Sequence, residues 1–113
     1  MVFFTSCVAD GIIYIMKAMP LISRRVVLSR DVFAEIVLWK VPEPLKGSRH
    51  GYKYRLALVA DGRCVLRYDN EAGKGDHRHI DNEEAAYRFE GVDKLLHDFH
   101  SDARKWLDEN SRL

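Results

Sequence analysis

The stretch YKYRLALVADGRCVLRYDN, Tyr52–Asn70, decides the fold. Its first half alternates, with Tyr52, Tyr54, Leu56 and Leu58 on one side and Lys53, Arg55, Ala57 and Val59 on the other. After Ala60-Asp61-Gly62 the alternation resumes, Cys64, Leu66 and Tyr68 opposing Arg63, Val65, Arg67 and Asp69. Two strands joined by a tight turn follow, in one of two registers. A two-residue Asp61-Gly62 turn sets Arg55 opposite Tyr68 and Leu56 opposite Arg67, which mixes core and charge on each face. A type I turn at Ala60-Asp61 with Gly62 as a left-handed bulge pairs Tyr54 with Tyr68, Leu56 with Leu66 and Leu58 with Cys64, giving one clean apolar face. The second register is preferred. It sets Arg55 against Arg67 and Lys53 against Asp69, and like charges in opposition call for an anion between them: a neighbouring carboxylate such as Asp69 or Glu71, or a bound phosphate.

Upstream, Arg24 to Arg30 and Val32 to Val41 are rich in β-branched and aromatic residues and read as a hairpin broken at Ser29-Arg30-Asp31. Pro42 and Pro44 end it, since proline cannot donate to a ladder. Downstream, Ala72-Gly73-Lys74-Gly75-Asp76 reads as a loop. His77 to Ile80 then alternates again, setting Glu71 near His77, Asp69 near His79 and Tyr68 near Ile80. Tyr87-Arg88-Phe89 is a candidate further strand. Val92, Leu95, Leu96, Phe99, Ala103, Trp106 and Leu107 recur at helical spacing, with Gly91 ahead of them, so the chain closes on an amphipathic helix whose stripe covers the apolar sheet face. Trp39 and Trp106 are assigned to the core, and His97 and His100 to solvent. The expectation is an α+β fold, an antiparallel β-sheet of about five to six strands with one C-terminal α-helix packed on one face.

At 113 residues and 47% apolar composition, one core suffices without staples. The net charge of +1 hides a gradient: residues 46–80 carry eight Lys/Arg against four acids, and residues 81–113 five against nine. The basic middle, with three histidines, suits a phosphate-bearing partner, although it is weaker than the charge of a dedicated nucleic-acid binder. Cys7 and Cys64 form no CxxC and suit a reducing, cytoplasmic setting. Residues 1–15 are apolar but lack a basic leader and are broken by Asp10-Gly11, so neither a signal peptide nor a membrane span is read there. They form an N-terminal extension of uncertain status, with a single domain over 16–113 and Met16 and Met19 as alternative starts.

On the second face, Lys53, Arg55, Arg67, Asp69, His77 and His79 form a constellation. Histidines at i and i+2 of a strand point the same way. Metal-free phosphodiester cleavage needs a base for the 2′-hydroxyl, an acid for the leaving oxygen and cations for the charge on phosphorus. His77 and His79 fit the proton transfers, Asp69 would orient them, Lys53, Arg55 and Arg67 would hold phosphate, and Lys74 would close over substrate. This chemistry requires no cofactor. The alternative is a metal held by His77, His79 and Asp76, for which DHRH is a weak signal; GKG is not a P-loop. A further alternative is a non-enzymatic module whose basic face binds a protein or nucleic acid.

KYRLALV (Lys53 to Val59), RCVLRYDN (Arg63 to Asn70) and GKGDHRH (Gly73 to His79), with YRF at Tyr87 to Phe89 and LLHDF in the helix, resemble the core pattern of the TumE family of toxin–antitoxin toxins. The resemblance runs from about Met16 to Trp106. It implies a bacterial growth inhibitor neutralised by a cognate antitoxin protein. RNA cleavage is the usual activity of toxins this small, an analogy of class that leaves function to be argued from the site.

Overall fold

The computed structural model describes residues 18–110. These form six strands and one helix: β1 Met19–Ser29, β2 Val32–Lys40, β3 Tyr52–Ala60, β4 Arg63–Glu71, β5 Gly75–Ile80, β6 Glu83–Ala86 and α1 Val92–Glu109. The strands make one antiparallel meander in sequence order, so every connection joins spatial neighbours. The expected α+β architecture is the one observed. The extension placed at residues 1–15, with Cys7, lies outside the described residues. Among the described residues no helix is long and apolar enough to cross a membrane.

The central hairpin corrects the expected register. Asp61 and Gly62 have φ of 54° and 76°, so the connection is the two-residue turn with both central residues left-handed. Ala60 faces Arg63 and Val59 faces Cys64, but Leu58 faces Leu66. Val65 is therefore an extra residue in β4, and this bulge restores the alternation that the turn by itself would have spoiled. Beyond it the core face is clean, with Leu56 opposite Tyr68, while Arg55 stands opposite Asp69 and Ala57 opposite Arg67. The expected Arg55–Arg67 opposition is relieved by a shift of two residues, which leaves Arg67, Tyr68 and Asp69 on their expected faces; ahead of the bulge the expected Leu58–Cys64 pair gives way to Val59–Cys64, and Val65 is buried in the core. The β4–β5 pairing is shifted likewise, setting Asp69 opposite His77, Arg67 opposite His79 and Asn70 opposite Asp76.

Two other expectations are corrected. The last strand is Glu83–Ala86 rather than Tyr87–Phe89: the turn after Ile80, with Asp81 at φ 53°, sends the chain straight back along β5. Tyr87 and Phe89 lie beyond the strand, where Tyr87 packs edge-on to Tyr68 and Phe89 stacks on His50. Trp39, opposite Lys53 in the β2–β3 ladder, is half-buried on the charged face rather than in the core.

The core lies between the other face and α1. Leu38, Tyr54, Leu56, Leu58, Leu66 and Tyr68 meet Leu95, Phe99, Ala103, Trp106 and Leu107. Fully burying a large apolar side chain contributes about 1.5–3 kcal/mol, so this stripe holds the helix down. Polar bonds then fix its position. Tyr68 Oη donates to Asp102 Oδ2 at 2.5 Å, and Tyr87 Oη donates to Asp98 Oδ2 at 2.7 Å. Burial is the larger cause, and the carboxylate contact the second, of the raised pKa of both phenols.

Candidate functional site

On the face away from α1, three neighbouring strands bring the charged residues into two rungs. Arg55, Asp69 and His77 form one; Ala57, Arg67 and His79 form the next, extended by Glu84 on β6. Ala57 is fully buried, so the longer side chains of this face close over it. Arg55 Nη1 is 3.8 Å from Glu35 Oε1 across β2, a loose and largely solvated pair. Lys53 donates from Nζ to the Asn70 carbonyl at 2.6 Å, and burial lowers its pKa against the opposing pull of Asp69 and Glu71. Lys74 is exposed on its loop, 3.9 Å from Glu71.

The two histidines are held differently. His77 Nδ1 is 3.0 Å from the Gly75 carbonyl. A carbonyl only accepts, so this nitrogen carries the proton and the neutral ring keeps its lone pair on Nε2. That Nε2 faces Glu84 Oε2 at 3.9 Å. The ring is thus oriented by Gly75, whereas Asp69 lies beside Arg67, with Oδ2 3.2 Å from Nε. The Arg67 N–H is not aligned with that oxygen, and the buried Nε has no hydrogen-bond partner among the described residues. His79 Nδ1 is in the same position. Two unsatisfied buried nitrogens therefore occur on directly opposed residues, and each such group costs about 1–3 kcal/mol.

Asp76 is not on this face. One residue before His77, it projects toward the core side, where its carboxylate accepts from Ser48 Oγ (2.7 Å), His50 Nε2 (2.7 Å) and Tyr54 Oη (2.6 Å). The structure accordingly does not bring Asp76 together with His77 and His79, and among the described residues no three His, Cys, Asp or Glu side chains are grouped to hold a metal ion. Ser48, His50 and Asp76 superficially suggest a nucleophile, base and orienting acid, but the bonds exclude it. His50 Nδ1 accepts from the Tyr52 N–H at 3.2 Å while Nε2 donates to Asp76, so the neutral ring has no free lone pair for a serine. Burial, reinforced by the Asp76 bond, raises the Tyr54 phenol pKa and keeps it protonated.

This buried network is what the sequence reading missed. Fully buried Asn70 belongs to it, accepting from the Tyr54 N–H and donating to the Tyr52 carbonyl and Ser48. The network ties the loop after β2 to the start of β5. In the same place Gly47 and Gly75 pack backbone to backbone, both at positive φ, so close that a Cβ on Gly47 would lie 2.8 Å from the Gly75 nitrogen. The Gly73 N–H donates to the Lys46 carbonyl at 2.7 Å. A Gly-Ser-Arg-His loop carries no periodic signal; the available clue was a run of polar residues after two prolines with a glycine in it.

Compared with known proteins, residues 17–107 match the model of a family described as Toxin TumE. No curated protein and no solved structure matches the chain.

Proposed function

The chain belongs to the TumE toxin family, and on that premise we propose that it arrests growth by cleaving RNA on the charged face of its sheet. The observation that carries the reading is the pair of unsatisfied buried nitrogens on Arg67 and His79, beside a histidine whose tautomer is set by a backbone carbonyl. Buried polar nitrogens without partners are costly, and a bound ion is one partner that would satisfy them. An anion bound on this rung would meet Arg67 and His79, with Arg55 on the adjoining rung.

In this reading His77 is the base. Its Nε2 takes the proton of the ribose 2′-hydroxyl, whose oxygen attacks phosphorus as the bond to the 5′-oxygen breaks. His79 delivers a proton to that leaving oxygen, and the product ends in a 2′,3′-cyclic phosphate. Arg55 and Arg67 stabilise the charge gathered on the phosphoryl oxygens, and Asp69 positions Arg67. Lys53 and Lys74 extend the positive field along the strand. Such a toxin works in the cytoplasm and is held silent by a cognate antitoxin protein, the partner its family implies.

The test is expression in bacterial cells with growth and total RNA followed together. Wild type is expected to stop growth and fragment RNA within one doubling, and His79→Ala is expected to do neither at equal protein level. Arrest by His77→Ala/His79→Ala with RNA intact would remove cleavage from the account.

A further inference from the structure

Resting on the RNA reading above, the geometry points to a second phosphate-binding element, the loop 46–50, which presents Lys46 and Arg49 beside Lys74 as a rigid rim for the RNA backbone. The loop carries two exposed cations, and neither Lys46 nor Arg49 is ion-paired among the described residues. Unneutralised positive charge on one short segment is favourable ground for an anion.

The loop is also braced far beyond what a connection between strands needs. Both neighbours of Arg49 turn their side chains inward to the same buried carboxylate, Ser48 to Asp76 Oδ1 and His50 to Asp76 Oδ2. Arg49 itself is exposed. His50 is further pinned by Phe89, whose ring centroid lies 3.8 Å away. The Lys46 carbonyl is bonded to the Gly73 N–H, which sets the backbone of Lys46 next to the loop bearing Lys74. The Gly47–Gly75 contact closes the two loops on each other. Gly75 is in turn the residue whose carbonyl orients His77. The loop pair is thus continuous with the strand that carries the histidines, but Asp76 holds it on the helix side, so a chain of nucleotides crossing His77 and His79 turns over the end of the sheet at Gly75 to meet Lys46, Arg49 and Lys74. Pre-organised cations lose little freedom on binding, which is the value of such bracing. Backbone contacts of this kind give affinity without base preference.

The experiment is a binding isotherm for the full chain with a fluorescent single-stranded RNA of about 12 nucleotides, 2′-O-methylated so that it cannot be cut, at several salt concentrations. Each phosphate contact on a single strand adds about 0.7 to the slope of log K against log salt. Lys46→Ala/Arg49→Ala should make the slope shallower by about 1.4, which is about 25-fold weaker binding at 0.1 M salt if the two proteins agree at 1 M. Both side chains are exposed, and the thermal melt should not move. Wild-type binding with an unchanged slope in the double variant would overturn the rim and leave the RNA reading standing. No wild-type binding at low salt would overturn both.

Discussion

Replacing Asp76 tests the structure where it departs most from a reading of DHRH as one site. The carboxylate accepts three hydrogen bonds, at 2.7, 2.7 and 2.6 Å, in a place where its side chain is 7% exposed. Asp76→Ala strands the donors of Ser48, His50 and Tyr54 together. Each buried donor left unsatisfied costs about 1–3 kcal/mol, so losing three together costs about 4 kcal/mol or more, a large part of the 5–15 kcal/mol by which a domain is stable. With a urea dependence of about 2 kcal/mol per molar, the midpoint should fall by about 2 M. Asp76→Asn is expected to be much milder, about 1–2 kcal/mol. Its carbonyl still accepts from His50 and Tyr54, and its amide donates to Ser48 Oγ, which rotates its hydroxyl to suit. Urea unfolding followed by circular dichroism separates the two. A loss below about 1 kcal/mol for the alanine variant, or asparagine as damaging as alanine, would refute the network.

Other consequences follow from the same geometry. Gly47→Ala places a Cβ 2.8 Å from a backbone nitrogen at φ 95° and should lower the midpoint far more than Gly62→Ala, where φ is 76° but nothing lies within 4 Å; thermal melts of the two compare clash plus strain with strain alone. Leu95→Ala, in the first turn of α1 and fully buried, should cost about 2–5 kcal/mol in urea. The pKa values of Tyr54, Tyr68 and Tyr87 are raised above the unfolded value of 10.0, so the stability they contribute is complete below pH 10 and lost as pH rises beyond it. These three should ionise only with unfolding in an ultraviolet pH titration, and Tyr54→Phe should lessen the alkaline loss.

Much of the architecture was legible because it rests on alternation and helical spacing, which burial enforces. Every second residue of Tyr52–Leu58 and the stripe from Leu95 to Leu107 had one place to go. The turn was misread for an instructive reason. Asp61-Gly62 favours the two-residue hairpin locally, the face pattern argues against it, and the chain satisfies both by inserting Val65. Nothing in a strand of apolar and charged residues marks which one bulges. Glu83–Ala86 escaped notice because it is short, exposed and poor in strand-forming residues, so its place is set by the Asp81-Asn82 turn rather than by burial. On the charged face, the same parity that survived a two-residue slip brought Arg55, Arg67, Asp69, His77 and His79 together. The inward network escaped because its members come from a loop and three strands, and hydrogen bonding between distant polar residues leaves no periodic trace.

The most direct test of the central claim is incubation of the purified protein with single-stranded RNA in EDTA, beside the same RNA carrying 2′-O-methyl groups. Wild type should cut the unmodified strand and leave 2′,3′-cyclic phosphate ends. The methylated strand should survive, and His77→Ala and His79→Ala should each be inactive while melting like wild type. Cleavage by both histidine variants, or cleavage of the methylated strand, would contradict that claim.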